Sequence, residues 1–183
     1  ILFFPILVLA DGVEKYYINA TIESNGDLLV EEYFTLSGSY NGFERKINFT
    51  NPSAATFNPH AQVFGGSTIH NGNGLEILKI GSASTSFSGN FNSLDIDIFN
   101  EDEDASKGDY GVYTSTSNYK GKNVLIYNPS RKHKAFYLKY RLKNMAILFN
   151  DVGEIGWNAV GSEFMEDIDY LNITLNIPGN TND

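Results

Sequence analysis

Strict two-residue alternation near the C-terminus limits this chain more than any other feature. Over residues 136–143, FYLKYRLK, one parity holds Phe136, Leu138, Tyr140 and Leu142, and the other holds Tyr137, Lys139, Arg141 and Lys143. Over residues 170–178, YLNITLNIP, Leu171, Ile173, Leu175 and Ile177 alternate with Asn172, Thr174 and Asn176 until Pro178 ends the pattern. A helix would smear such alternation around its circumference, whereas a pleated strand sends successive side chains to opposite faces. Both segments are therefore expected to be strands with one apolar face.

The same period recurs upstream. Tyr16, Ile18, Ala20 and Ile22 alternate towards Ser24-Asn25-Gly26-Asp27, a hairpin turn because Asn-Gly tolerates positive φ. Leu28, Val30, Phe34 and Leu36 follow on one parity, then Arg45, Ile47 and Phe49 on another. Further short strands are expected at 61–64, 75–80, 94–98, 110–116 and 124–127, with another inside the Ser- and Gly-rich loop 82–93. The run 145–149 is ambiguous between strand and short helix, since five apolar residues fix no period. Seventeen glycines, eleven tyrosines and thirteen phenylalanines also favour strands and turns. The expected fold is mainly β: a single antiparallel β-sandwich with at most one short helix.

A chain of 183 residues buries about 70% of its unfolded surface, enough for an independent core. It has no cysteine, so disulfides, thiolate zinc sites and cysteine nucleophiles are excluded. A formal charge of -9 opposes a phosphate backbone, so no nucleic-acid partner is expected. Residues 1–10, ILFFPILVLA, are apolar but shorter than the roughly 20 residues that span a bilayer. They read as a truncated signal-peptide h-region, cleaved between Ala10 and Asp11, with Val8 and Ala10 as the small residues before the cut.

Between the two clearest strands, residues 150–161 read NDVGEIGWNAVG and hold the only tryptophan, Trp157. With the flanking Y-x-L-x-Y-x-L-x-N pattern, the terminal strand closing on Ile-Pro, and GSYNGFERKI over 38–47, this segment resembles the N-terminal extracytoplasmic region of the YciQ-like predicted bacterial membrane proteins. That family is a domain of unknown function (2207). The resemblance implies a signal peptide, an extracytoplasmic β-rich domain at 11–178, and a polar tail at 179–183 leading towards a membrane anchor.

Glu32 shares its strand face with Val30 and Phe34, and Arg45 shares its face with Ile47 and Phe49. Two opposite charges among apolar neighbours are far costlier apart than together, so an inward-facing Glu32–Arg45 ion pair is expected. Glu154 is a candidate second acceptor, because a guanidinium fork can satisfy two carboxylates.

Other chemistry is sparse. Asp95, Asp97, Asp102 and Asp104 are weak calcium candidates, since carboxylate oxygens suit a hard cation. Counting from Asp102 as first ligand, however, puts Lys107 where an EF-hand requires glycine, so no metal site is assigned. His60, His70 and His133 stand in turn-like or charged contexts, and no G-x-S-x-G or H-E-x-x-H motif occurs. Eight of the thirteen Lys and Arg residues lie within 120–143, a stretch free of Asp and Glu. That block and the acidic segment 100–109 are expected to face one another as neighbouring strands or loops, the alternatives for the basic block being anionic lipid or cell-wall polymer. No catalytic residue and no cofactor are expected. The chain reads as a non-catalytic interaction or structural module on the extracytoplasmic face of a cell membrane, with a protein or envelope partner. The alternatives are a glycan-binding or glycan-cleaving sandwich and a calcium-stabilised adhesion module.

Overall fold

The computed structural model describes residues 12–50, 72–148, 153–161 and 167–179. The signal segment 1–10, the strand expected at 61–64, and residues 180–183 lie outside the described residues. Twelve strands are described: β1 (Val13–Ile22), β2 (Leu28–Leu36), β3 (Gly42–Asn48), β4 (Gly74–Ala83), β5 (Ile96–Ile98), β6 (Asn100–Glu101), β7 (Val112–Ser117), β8 (Gly121–Tyr127), β9 (Ala135–Lys143), β10 (Ala146–Leu148), β11 (Gly153–Ile155) and β12 (Leu171–Asn176). They form a mainly β sandwich of a six-stranded sheet, ordered β12-β1-β2-β9-β4-β5, and a four-stranded sheet, β3-β8-β7-β6. A separate ribbon joins β10 and β11. The only helical turns among the described residues are two three-residue 3-10 turns. Neighbouring strands run antiparallel except at two edges, where β12 pairs parallel with β1 and β6 parallel with β7.

The β1–β2 turn shows how local chemistry sets register. Gly26 has φ +85°, and a Cβ there would meet the Ala146 carbonyl oxygen at 2.9 Å, so both conformation and space require glycine. Asn25 Oδ1 accepts from the Asp27 amide at 3.0 Å. Asp27 Oδ1 in turn accepts from the Asn144 amide at 2.8 Å, tying this turn to the end of β9.

The main core lies between the sheets and follows the sequence parities: Tyr16, Ile18 and Ala20 from β1, Val30 and Phe34 from β2, and Phe136, Leu138, Tyr140 and Leu142 from β9. Phe43, Ile47, Val124 and Ile126 oppose them from the smaller sheet. Phe34 sits 4.4 Å from Phe43 and 5.6 Å from Phe136, ring centre to ring centre.

A second cluster lies on the outer face of the larger sheet. The stretch 82–93, expected to be a loop with a strand inside, instead ends β4 at Ala83 and then runs as a loop over 84–95 with a 3-10 turn (Phe91–Ser93) capped by Asn90. It folds back over the sheet, placing Phe87 4.3 Å from Tyr33 and 5.1 Å from Tyr17. The Tyr33 hydroxyl donates to the Ser84 carbonyl at 2.9 Å, fixing the start of this clamp.

The ambiguous run 145–149 contains β10, which pairs Ala146, Ile147 and Leu148 with Ile155, Glu154 and Gly153. Pairing with β11, absent from the local sequence signal, decides it. β12 has the cleanest alternation yet all six residues are exposed, because it adds to the sheet edge beyond β1.

Candidate functional site

Four strands direct polar groups into the core at one point. Glu32 (β2) is completely buried, and Arg45 (β3) is 3% exposed. The guanidinium grips the carboxylate through both forks, Nε to Oε2 at 3.0 Å and Nη2 to Oε1 at 2.8 Å. Tyr16 (β1) donates to Oε2 at 2.7 Å, and Tyr140 (β9) donates to Oε1 at 2.5 Å. The remaining guanidinium donors reach backbone carbonyls: Lys46 at 2.8 Å, Val160 at 3.0 Å and Ala159 at 3.0 Å. A guanidinium has five N–H donors and a carboxylate about four acceptor positions, and here every one is used.

Burial and then the Glu32 charge push the Tyr140 hydroxyl pKa well above its ordinary value. Burial does the same at Tyr16, where Arg45 opposes the shift and Glu32 adds to it. Arg45 is itself raised well above the usual arginine value: burial acts most strongly against its charge, and Glu32 together with Tyr16 and Tyr140 more than offsets it. With all donors and acceptors taken, the cluster has no group to offer a substrate.

Glu154 is not among Arg45's partners. It stands in β11 opposite Ile147 and lines a groove of about 400 Å³ with Glu23, Ile22, Ile155 and Ile177. The second anchor from the 150–161 segment is backbone, the Ala159 and Val160 carbonyls, which carry no side-chain signal. Gly161 follows at φ +89°, and a Cβ there would crowd Arg45 Nη1 at 3.3 Å. Trp157 packs half-buried against the core beside these carbonyls.

The calcium candidates remain apart. Asp97 lies in β5 opposite Ser82, whereas Asp102 Oδ1 accepts from the Asp104 amide at 3.0 Å, and Asp95 is exposed. Among the described residues no three carboxylates or histidines gather as a metal-binding group. His133 rests against Phe99 and Phe136, and burial, with Lys132 adding to it, lowers its pKa. His60 and His70 lie outside the described residues.

The basic face of β9 meets carboxylates from the strands around it. Lys139 Nζ is 3.4 Å from Glu31, and Arg141 bonds Glu23 at 2.8 Å and Glu76 at 3.2 Å. The acidic segment 101–109 touches the basic stretch through neutral groups, with the Tyr127 hydroxyl donating to the Ala105 carbonyl at 3.0 Å.

On the outer face of the larger sheet a polar groove of about 220 Å³ opens between the aromatic clamp and the edge strand. Its floor is a row across three strands, with Thr174, Asn19 and Glu31 side by side, and Lys139 continues that row on β9. The parallel row holds Asn172, Tyr17, Tyr33 and Tyr137. Tyr137 donates to Glu31 Oε1 at 2.5 Å, and burial followed by this bond drives its hydroxyl pKa strongly upward. The alternation marked these positions as a polar face. The covering rings of Phe87 and Phe91 come from a loop in which they are two isolated aromatics in a polar stretch, with Leu94 packed beside them.

A family model for the N-terminal domain of a predicted membrane protein, DUF2207, matches residues 12–183. The chain belongs to this family. No curated protein and no solved structure matches it. Among the described residues of this DUF2207 domain, no helix is long and apolar enough to cross a membrane.

Proposed function

We propose that this DUF2207 domain is a non-catalytic recognition module carried on the extracytoplasmic face of a membrane. The saturation of the Glu32–Arg45 cluster carries this reading: the most deeply buried charges serve architecture, while the open groove on the outer sheet face keeps polar groups turned to solvent. Strongly perturbed groups mark catalytic sites and structural ion-pair networks alike, and full hydrogen-bond saturation favours the second. The extracytoplasmic side is supported by the apolar run at 1–10 before Asp11, and by a family match that starts at residue 12.

Cysteine labelling tests the side of the membrane. The chain has no cysteine, and Tyr119 is 82% exposed, so Tyr119→Cys in the full-length protein adds one accessible thiol. A membrane-impermeant maleimide should label intact cells above the level of the unsubstituted protein. Labelling only after permeabilisation would overturn the extracytoplasmic reading.

A further inference from the structure

We infer that the polar groove beside β12 binds a neutral sugar unit of an envelope glycan; this names a ligand for the recognition module and rests on that reading. The first argument is unused hydrogen-bonding capacity. Among the described residues, the Asn172 side-chain amide and the Thr174 hydroxyl make no hydrogen bond, and Glu31, which lines the groove, uses only Oε1. Planar amides and carboxylates offer two in-plane positions each, and a hydroxyl both donates and accepts. Neighbouring hydroxyls on a pyranose ring present the complementary pairs. The register sets Asn172 beside Tyr17 and Thr174 beside Asn19, on strands about 4.8 Å apart, so these groups form a fixed array and not a mobile fringe.

The second argument is the wall. Tyr17 and Phe91 line the groove, and both are locked in place by Phe87, at 5.1 and 4.9 Å. An aromatic face carries partial negative charge and packs well against the slightly positive C–H face of a sugar ring. A volume of about 220 Å³ equals roughly seven waters, room for one ring with its neighbours left outside.

Charge selects against other ligands. The chain carries -9 overall and the floor contains Glu31, which pairs with Lys139 at 3.4 Å, its one ion pair among the described residues. Uronic, sialic or phosphorylated sugars would meet net repulsion. A peptide would leave the array of side-chain hydrogen-bonding groups unmatched, because its own polar groups lie along a backbone that a strand edge, such as that of β12 among the described residues, suits better.

The test uses the full-length protein in nanodiscs on an array of neutral and anionic oligosaccharides. Titration with the best retained neutral sugar follows, for the parent, Asn172→Ala and Phe91→Ala. Asn172 is exposed on an edge strand, so its substitution leaves the core intact. Retention of neutral glycans, with affinity about tenfold weaker in Asn172→Ala, supports the inference. Should Phe91→Ala loosen the clamp, Asn172→Ala still decides. No retained glycan, preference for anionic glycans, or affinity unchanged in Asn172→Ala would each overturn it. Surface labelling at Tyr119→Cys with no glycan retained removes the sugar and leaves the module reading standing; labelling only after permeabilisation removes that reading itself.

Discussion

Replacing Arg45 by alanine is expected to be among the most damaging single changes in this domain. The substitution strips two of the four hydrogen bonds from a carboxylate with no exposed surface, leaving Tyr16 and Tyr140 as its remaining donors. It also removes the donors that Arg45 gives the Lys46, Ala159 and Val160 carbonyls and empties the space of a long side chain. Breaking a buried pair costs about 3 to 5 kcal/mol. In a chain of this size each kcal/mol moves Tm by about 2 to 4 °C, so the expected fall is roughly 6 to 20 °C. Urea denaturation followed by circular dichroism should show a lower midpoint with an unchanged slope, since the same surface is exposed on unfolding. Glu32→Met with Arg45→Met, combined with Tyr16→Phe and Tyr140→Phe, should recover much of the loss, because an apolar replacement leaves no buried charge or tyrosine hydroxyl unpaired, and only the backbone carbonyls that Arg45 served lose its donors. A loss under about 1 kcal/mol for Arg45→Ala would refute the reasoning, since that is the scale of an exposed pair.

Phe87→Ala, which opens the aromatic clamp over Tyr17 and Tyr33, should cost about 3 to 5 kcal/mol by urea denaturation; a change below 1 kcal/mol would show the clamp to be ornamental. Alkaline titration should reveal tyrosines that resist ionisation, with Tyr33 raised to about 12 by burial and Tyr16, Tyr137 and Tyr140 also shifted upward. The native state then holds protons that the unfolded chain releases, so stability is full below about pH 10 and declines as pH rises above it; tyrosinate absorbance that reaches its full value near pH 11 before unfolding would contradict this. Calcium should leave Tm nearly unchanged, because a ligand that does not bind the native state does not stabilise it; a shift of several degrees, abolished by Asp102→Asn and Asp104→Asn, would establish a site. Intact-mass measurement of the native protein should show a chain beginning at Asp11, and retention of residues 1–10 would remove the signal reading.

Legibility in the sequence followed periodicity. Strands whose neighbours bury one face, such as β1, β2 and β9, announce themselves by alternation, because burial on one side is what alternation encodes. Glu32 and Arg45 stood out for the same reason, as charges on an apolar parity. Glu154 illustrates the limit: Arg45 needed further acceptors near Trp157, but backbone carbonyls, identical at every position, supplied them. The 84–95 loop was illegible for a different reason. Phe87 and Phe91 bury against Tyr17, Tyr33 and Tyr137 only through a long-range return of the chain, and no local period records that.

The inner cluster and the outer groove are two consequences of one register. Successive strand residues point to opposite faces, so Glu32 points into the core and Glu31 points out to the groove. A two-residue slip of β2, which keeps every side chain on its own face, would take Glu32 away from Tyr16 if it occurred against β1, and away from Tyr140 if against β9. Either slip, or one of β3, would leave a buried charge without its donors, a cost of several kcal/mol that well-packed leucines at the same positions would not impose. Apolar side chains tolerate translation along a strand, whereas a carboxylate with four directional partners does not. The same registers set Asn19 beside Glu31 and Glu31 beside Lys139, so whatever holds the inner cluster also holds the groove floor. Arg45 extends this control to the edge, because its carbonyl partners Ala159 and Val160 lie in the segment preceding β12, whose entry is pinned by the Val13 amide on the Asp167 carbonyl at 2.8 Å. A buried ion pair that adds little net stability over an apolar core thus has a use that hydrophobic packing lacks: it specifies which outer side chains stand together.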